Sequence, residues 1–537
     1  MQRKESQTPS LTLRLRRNLH EVSERGRRVR VVLSDAPNRQ DNSTISLQLD
    51  DRGRPIAMQI ERAVHSYFPV YFHIGQTGEA VISDTMGFMH DIARRGGMEI
   101  DDSAQLEHLL FGRPPERGLL REIYTVDHGE QVRLVCDEGR WRIESSQLYD
   151  HFLQDDFRGW EQSLPQISEQ LRQATSAISP SSMLFSGGVD STLLKAMLGG
   201  QVEMLSGRVP GEQFVPEVEQ AARAAALLDG DHRYVDVDHG DYLELLVDLT
   251  RRTGLPCPAM QHVLQTRVAA SAKETVCYGE LGDGTYGLPL VGQPGLREWL
   301  EQSGYDASYA ASLRYSVASM RGEDTSFDRQ LEATYGSIDE AHRRRGQRVA
   351  ERMQWDGGLD RDDRIWERFL AIGHMVDFLT VGCVKVVRDL ASSHGAVVHT
   401  PYTDRGLIDS FHRCDPATRY CDAGRAKPVL KTLLARALPA YDVDRPKLAS
   451  GLPRSWYFTE GPLQGVFDDY PPPSPMAEAV ERAVENPGWN NSWILWPVLS
   501  YSVWYHEWFE ADALTQRSDM VVHQWGTAPE QKSRIAS

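Results

Sequence analysis

The chain has 537 residues, 40% of them hydrophobic and 25% charged. That is the make-up of a soluble globular protein too long for one core, so two or three domains are expected. A net charge of −17 at pH 7 argues against a large nucleic-acid footprint, and no nucleic-acid partner is expected.

In chain order, the N-terminus is basic and polar (Arg3, Lys4, Arg14, Arg16, Arg17) with no apolar h-region, so no secretory signal is expected. Residues 1–155 predict a β-rich domain, with strands at Val29–Leu33, Ile45–Leu49, Val70–His73, Gln131–Val135 and Trp141–Glu144. A helix is expected over residues 161–179, with Leu164, Ile167 and Leu171 on one face and Ser179-Pro180 ending it. From Met183 onward, strands (183–185, 202–205, 233–237, 275–278) alternate with helices (192–198, 217–228, 242–252). Such alternation predicts a doubly wound parallel sheet with helices on both faces. Residues from about 290 to 515 read as mostly helical, with polar loops at 322–326 and 471–473. The apolar stretch 493–508 carries Pro497, His506 and Glu507, so it predicts a buried helix and no membrane partner. The six cysteines (Cys136, Cys257, Cys277, Cys383, Cys414, Cys421) lack C-x-x-C spacing and read as free thiols of a reducing cytoplasm.

Three segments carry chemistry. Ser186-Gly187-Gly188-Val189-Asp190-Ser191 lies between a short strand and a helix, an arrangement that aims backbone N–H groups and a positive dipole end at one spot and suits a phosphate. No Gly-Lys-Ser/Thr closes it, so it is not the usual P-loop. Asp190 would repel phosphate unless a cation lay between them, and it reads as a metal ligand. The string resembles the pyrophosphate loop of the ATP pyrophosphatase superfamily; an ordinary Gly-rich turn is the plain alternative. Gly279-Glu280-Leu281-Gly282-Asp283-Gly284 follows the strand ending at Tyr278. In a doubly wound sheet both loops face one crevice, where Asp190 and Asp283 would share Mg2+ on the ATP phosphates and Glu280 would serve as general base. A helix N-cap and a turn acid are the alternative for this second loop. The third segment comprises residues 398–404, Lys427-Pro428-Val429-Leu430 and Arg445-Pro446-Lys447.

This ordered series resembles the asparagine synthetase family over most of the chain. The resemblance implies an α/β fold: a degenerate Ntn-type, glutaminase-like domain over residues 1–155 and an ATP-pyrophosphatase synthetase domain over 156–537 with extra helices. It implies Lys447 as the active-site lysine that stabilises developing negative charge, and Lys427 as a contact of the departing pyrophosphate. Mg-ATP would lie on Ser186, Gly187, Gly188, Asp190 and Ser191, with adenine near Leu184, Tyr278 and Gly279. Glutamine-dependent members begin Met-Cys, whereas Gln2 follows Met1 here and the first cysteine is Cys136, so glutamine hydrolysis of that kind is not expected. Residues 284–289 also depart from the family's acidic loop, so aspartate is not expected as the substrate. Together these features resemble β-lactam synthetases, carbapenam synthetases and lasso-peptide cyclases, which couple an adenylated carboxylate to an amine other than ammonia. The expected function is an ATP-dependent, AMP-forming amide synthetase of natural-product biosynthesis, acting on small-molecule or peptide carboxylates and amines. A macrolactam cyclase, an ammonia-using asparagine synthetase-like enzyme and a non-catalytic scaffold are the alternatives. A homodimer is left open.

Overall fold

A computed structural model describes residues 10–17, 19–35, 42–112, 114–115, 117–149, 157–286, 326–352, 382–445, 452–485, 489–511 and 520–525. The N-terminal part is a sandwich of two sheets. One is six-stranded and antiparallel, in the order Arg140–Leu148, Glu130–Asp137, Pro55–Arg62, Ser43–Leu49, Arg28–Leu33, His20–Arg25. The other places Met520–Trp525, Ser10–Arg16, Glu79–Ser83, Tyr71–Ile74 and Tyr124–Thr125 side by side. In Arg28–Leu33 the residues Val29, Val31 and Leu33 are buried between the sheets, while Arg28 and Arg30 face water, the period-two pattern of a half-buried strand. The strand Met520–Trp525 was not anticipated. It pairs antiparallel with Ser10–Arg16, so the last described strand returns to the five-stranded sheet of the N-terminal part instead of staying with residues 156–511.

The second body is the parallel sheet expected from the alternation. Its strands are β1 (Ser182–Leu184), β2 (Glu203–Arg208), β3 (His232–Asp236), β4 (Thr275–Tyr278) and β5 (Val397–His399), in the order β3-β2-β1-β4-β5 with all neighbours parallel. Met183, Met204 and Cys277 enter one core with the sandwich and the helices Trp160–Ser176 and Val189–Leu198; Leu205, Val276 and Tyr278 enter the other with Tyr242–Thr253, Met260–Ala270 and Cys383–Ser393. Both faces of the sheet are thus covered, which explains why its strands read as short apolar runs without alternation. The helix Met260–Ala270 was missed because polar His262 and Thr266 occupy buried positions in it and break the apolar periodicity. The apolar stretch near the C-terminus is a helix, Trp489–Tyr505, with Trp496 and Trp504 buried. Among the described residues no helix is long and apolar enough to cross a membrane.

A buried ionic cluster joins the two bodies. Asp389, on the helix leading into β5, accepts from Lys385 Nζ at 2.8 Å and Arg388 Nε at 2.9 Å, with Arg16 Nε at 3.6 Å. Arg388 also donates to the carbonyls of Tyr67 (2.9 Å) and Asp84 (3.3 Å), both in the sandwich. The helix that aims β5 at the crevice is therefore anchored on the N-terminal sheets.

Candidate active site

The strand order reverses at β1: β2 and β3 extend to one side, β4 and β5 to the other. A crevice opens at such a switch point, beyond the carboxyl ends of the strands. Leu184 and Tyr278, the last residues of β1 and β4, are direct register partners, so the loops that follow them flank this crevice as expected.

The first loop is shaped by its glycines and hydroxyls. Gly187 has φ +69°, and a Cβ there would lie 2.7 Å from Ala221 Cα and 2.7 Å from Gln220 O, so only glycine fits the turn. Ser191 Oγ accepts from the Ser186 amide at 3.3 Å and lies 3.2 Å from Ser186 Oγ, and Ser186 Oγ accepts from the Gly188 amide at 3.3 Å. Gly188 caps the helix Val189–Leu198 without any side-chain cap, leaving its first-turn N–H groups and dipole for an anion.

The two loops touch, although they lie far apart in sequence. A Cβ on Gly282 would fall 2.4 Å from Asp190 Cγ, and one on Gly279 would be 3.5 Å from Ser191 N. Glycine at 282 is what lets the acidic loop close on the phosphate loop. Leu281, buried, takes φ +75°, a costly conformation for a γ-branched residue, and turns the chain into the short helix Gly282–Tyr286. Residues 282–284 were expected as loop. Asp283 lies in that helix, and its side chain is outside the described residues, as is all of Lys447.

Glu280 accepts a 2.9 Å hydrogen bond from Tyr278 Oη. Asp190 Oδ2 accepts from Lys427 Nζ at 2.5 Å, and its carbonyl accepts from Tyr402 Oη at 3.0 Å. Lys427 has the left-handed backbone φ 55°, ψ 48° at the start of the helix Pro428–Ala437. Tyr441 Oη donates to Gly187 O at 2.8 Å, clamping the phosphate loop from the far side. Neither Tyr402 nor Tyr441 was given a role from sequence: Tyr402 lies inside the third segment (398–404) and Tyr441 between its two later parts, and neither position has a periodicity that marks it.

The residues suit a magnesium nucleotide. Asp190 supplies a hard carboxylate oxygen beside uncapped helix N–H groups, and no group of three or more His, Cys, Asp or Glu among the described residues could hold a metal by itself. Mg2+ bound by one or two carboxylates with substrate phosphates completing its shell matches that donor set.

No curated protein matches the chain. The family model for asparagine synthase matches residues 165–506, a span that contains the parallel sheet, both crevice loops and the segment with Lys427. The chain belongs to the asparagine synthase family, whose members use ATP to form amide bonds.

Proposed function

We propose that the chain is an AMP-forming amide synthetase that activates a carboxylate with Mg-ATP, releases pyrophosphate, and couples the acyl group to an amine other than glutamine-derived ammonia, in natural-product biosynthesis. The observation that carries this reading is that the loop bearing Glu280 packs through Gly279 and Gly282 on Ser191 and Asp190, itself paired with Lys427, at the switch point of the sheet. Magnesium, when bound, would neutralise phosphate charge as the carboxylate attacks the α-phosphorus. The helix N–H groups after Gly188 and the Lys427 ammonium would hold the phosphates that leave, and Lys447 would stabilise the charge that develops on the adenylate. Glu280, oriented by Tyr278, takes the proton from the incoming amine.

The four cysteines whose side chains are described offer no activated thiol. Cys136, the first cysteine of the chain, is half-buried on a strand, and burial raises its thiol pKa. Burial pushes Cys257 and Cys277 up to about 12 and Cys414 up to about 11. A protonated thiol is a poor nucleophile, so none of these four supports a glutaminase step.

Pyrophosphate–ATP exchange across a panel of small-molecule and peptide carboxylates tests the proposal. Exchange is expected with a subset of them, and Asp190→Ala and Lys447→Ala should abolish it. Exchange that survives both substitutions unchanged would sink the assignment.

A further inference from the structure

We infer that His20 and His523 form a binding site for a late first-row divalent cation of the Zn2+ class, which staples the last described strand to the opposite sheet of the sandwich. The site lies apart from the crevice and does not depend on the ligase reading.

The two histidines stand on facing edges. His20–Arg25 ends the six-stranded sheet, and Met520–Trp525 ends the five-stranded one. His20 is in register with Leu33, and His523 with Leu13. Directly opposed residues of an antiparallel pair share a face, and both leucines are buried in the core between the sheets. Both rings therefore point inward at the rim of the sandwich. Val22, on the same face of its strand as His20, is 39% exposed, so the rim is open to an ion from solvent.

The nitrogens are set as ligands. His20 Nδ1 lies 2.8 Å from Arg16 O. A carbonyl oxygen only accepts, so Nδ1 carries the proton and the lone pair of the neutral ring sits on Nε2. Anchoring by a backbone carbonyl is also how ligating histidines are oriented. His20 Nε2 and His523 Nε2 are 3.3 Å apart, with the rings at 85°. Two imidazole nitrogens bound at about 2.0–2.1 Å to one tetrahedral ion lie roughly 3.3–3.4 Å from each other. The observed spacing is thus that of two ligands on one ion. Neither Nε2 has another hydrogen-bond partner among the described residues.

The surroundings favour a cation. Glu24 shares the inward face of its strand with His20, and its charge acts on the His523 ring. No third His, Cys, Asp or Glu joins the pair among the described residues, so water completes the shell. Two imidazoles with water select Zn2+, Ni2+ or Cu2+ over Mg2+ or Ca2+. Met520–Trp525 is hydrogen-bonded to one strand only, and an ion between His523 and His20 adds a link to the other sheet.

Zn2+ and Cu2+ alone are the probes, on the full chain without a polyhistidine tag. By calorimetry, His20→Gln and His523→Gln should each weaken Zn2+ binding at least ~10-fold, because even loss of an outer-shell partner costs roughly 10- to 100-fold. Electron paramagnetic resonance with one equivalent of Cu2+ should show two coupled imidazole nitrogens in the native chain and one in each variant. Zn2+ should raise the melting temperature of the native chain and leave that of His523→Gln unmoved. Zn2+ affinity within twofold of native in both folded variants overturns the inference. Should the variants fail to fold by circular dichroism, the native chain decides. Zn2+ should then shield His20 and His523 from diethyl pyrocarbonate, read by mass mapping; modification of either at its Zn2+-free rate overturns the inference.

Discussion

Tyr278 and Glu280 bracket a single glycine at the carboxyl end of β4, and the Tyr278 phenol donates a 2.9 Å hydrogen bond to Glu280 Oε2. Tyr278 is expected near adenine, and its hydroxyl bonds the candidate base. Tyr278→Phe should lower turnover roughly 10- to 100-fold, since a hydrogen bond to a charged group is worth about 1.5–3 kcal/mol, with the KM for ATP within twofold. Steady-state kinetics separates the two roles: a raised KM for ATP with unchanged turnover would return Tyr278 to the nucleotide.

Gly187 is the tightest point of the phosphate loop. Gly187→Ala forces a Cβ against the backbone of Gln220 and Ala221 at a positive φ. Destabilisation by about 1–3 kcal/mol is expected, together with loss of ATP binding. Thermal denaturation and calorimetry of the same sample check both. A variant with native melting temperature and native ATP affinity would show that the loop adapts.

The ionic cluster between the two bodies sets an acid limit on stability. Burial works against ionisation of Asp389, yet Arg388, Lys385 and Arg16 together hold its carboxyl well below the usual range. A depressed carboxyl stabilises the fold above its unfolded value of about 3.9, and that contribution is lost as pH falls toward the folded value. Asp84 runs the other way: burial raises it, outweighing Arg16 and Arg388, so its contribution to stability falls as pH rises past its unfolded value. Urea midpoints for the native chain should therefore drop steeply below about pH 4. Asp389→Asn should flatten that acid limb while costing about 3–5 kcal/mol near neutrality, because three buried cations lose their shared anion. An unchanged acid limb in the Asn variant would contradict the assignment.

Cys257 and Cys277 are fully buried, with thiols pushed up to about 12. At mildly alkaline pH neither should be alkylated in the folded chain, and both should react on unfolding. Mass mapping after iodoacetamide treatment checks this. Native-state labelling at Cys277, on β4 beside the crevice, would mean that the sheet opens.

What the sequence determined by itself was local. β4 was read at its observed bounds, and β1, β2, β3 and the helices between them within a few residues, because strands buried on both faces and amphipathic helices differ in period and length. The turn 186–191 was legible as a strand–turn–helix junction for the same reason. What only the tertiary structure decided was which groups meet. Gly282 seats against Asp190, Lys427 reaches it across the crevice, and Tyr402 and Tyr441 lock the loop from segments more than two hundred residues downstream. The return of Met520–Trp525 to the five-stranded N-terminal sheet was likewise invisible in its own residues. Period and propensity act over a few residues, whereas these contacts follow from strand order and the close approach that a missing Cβ permits, and neither leaves a periodic trace in the chain.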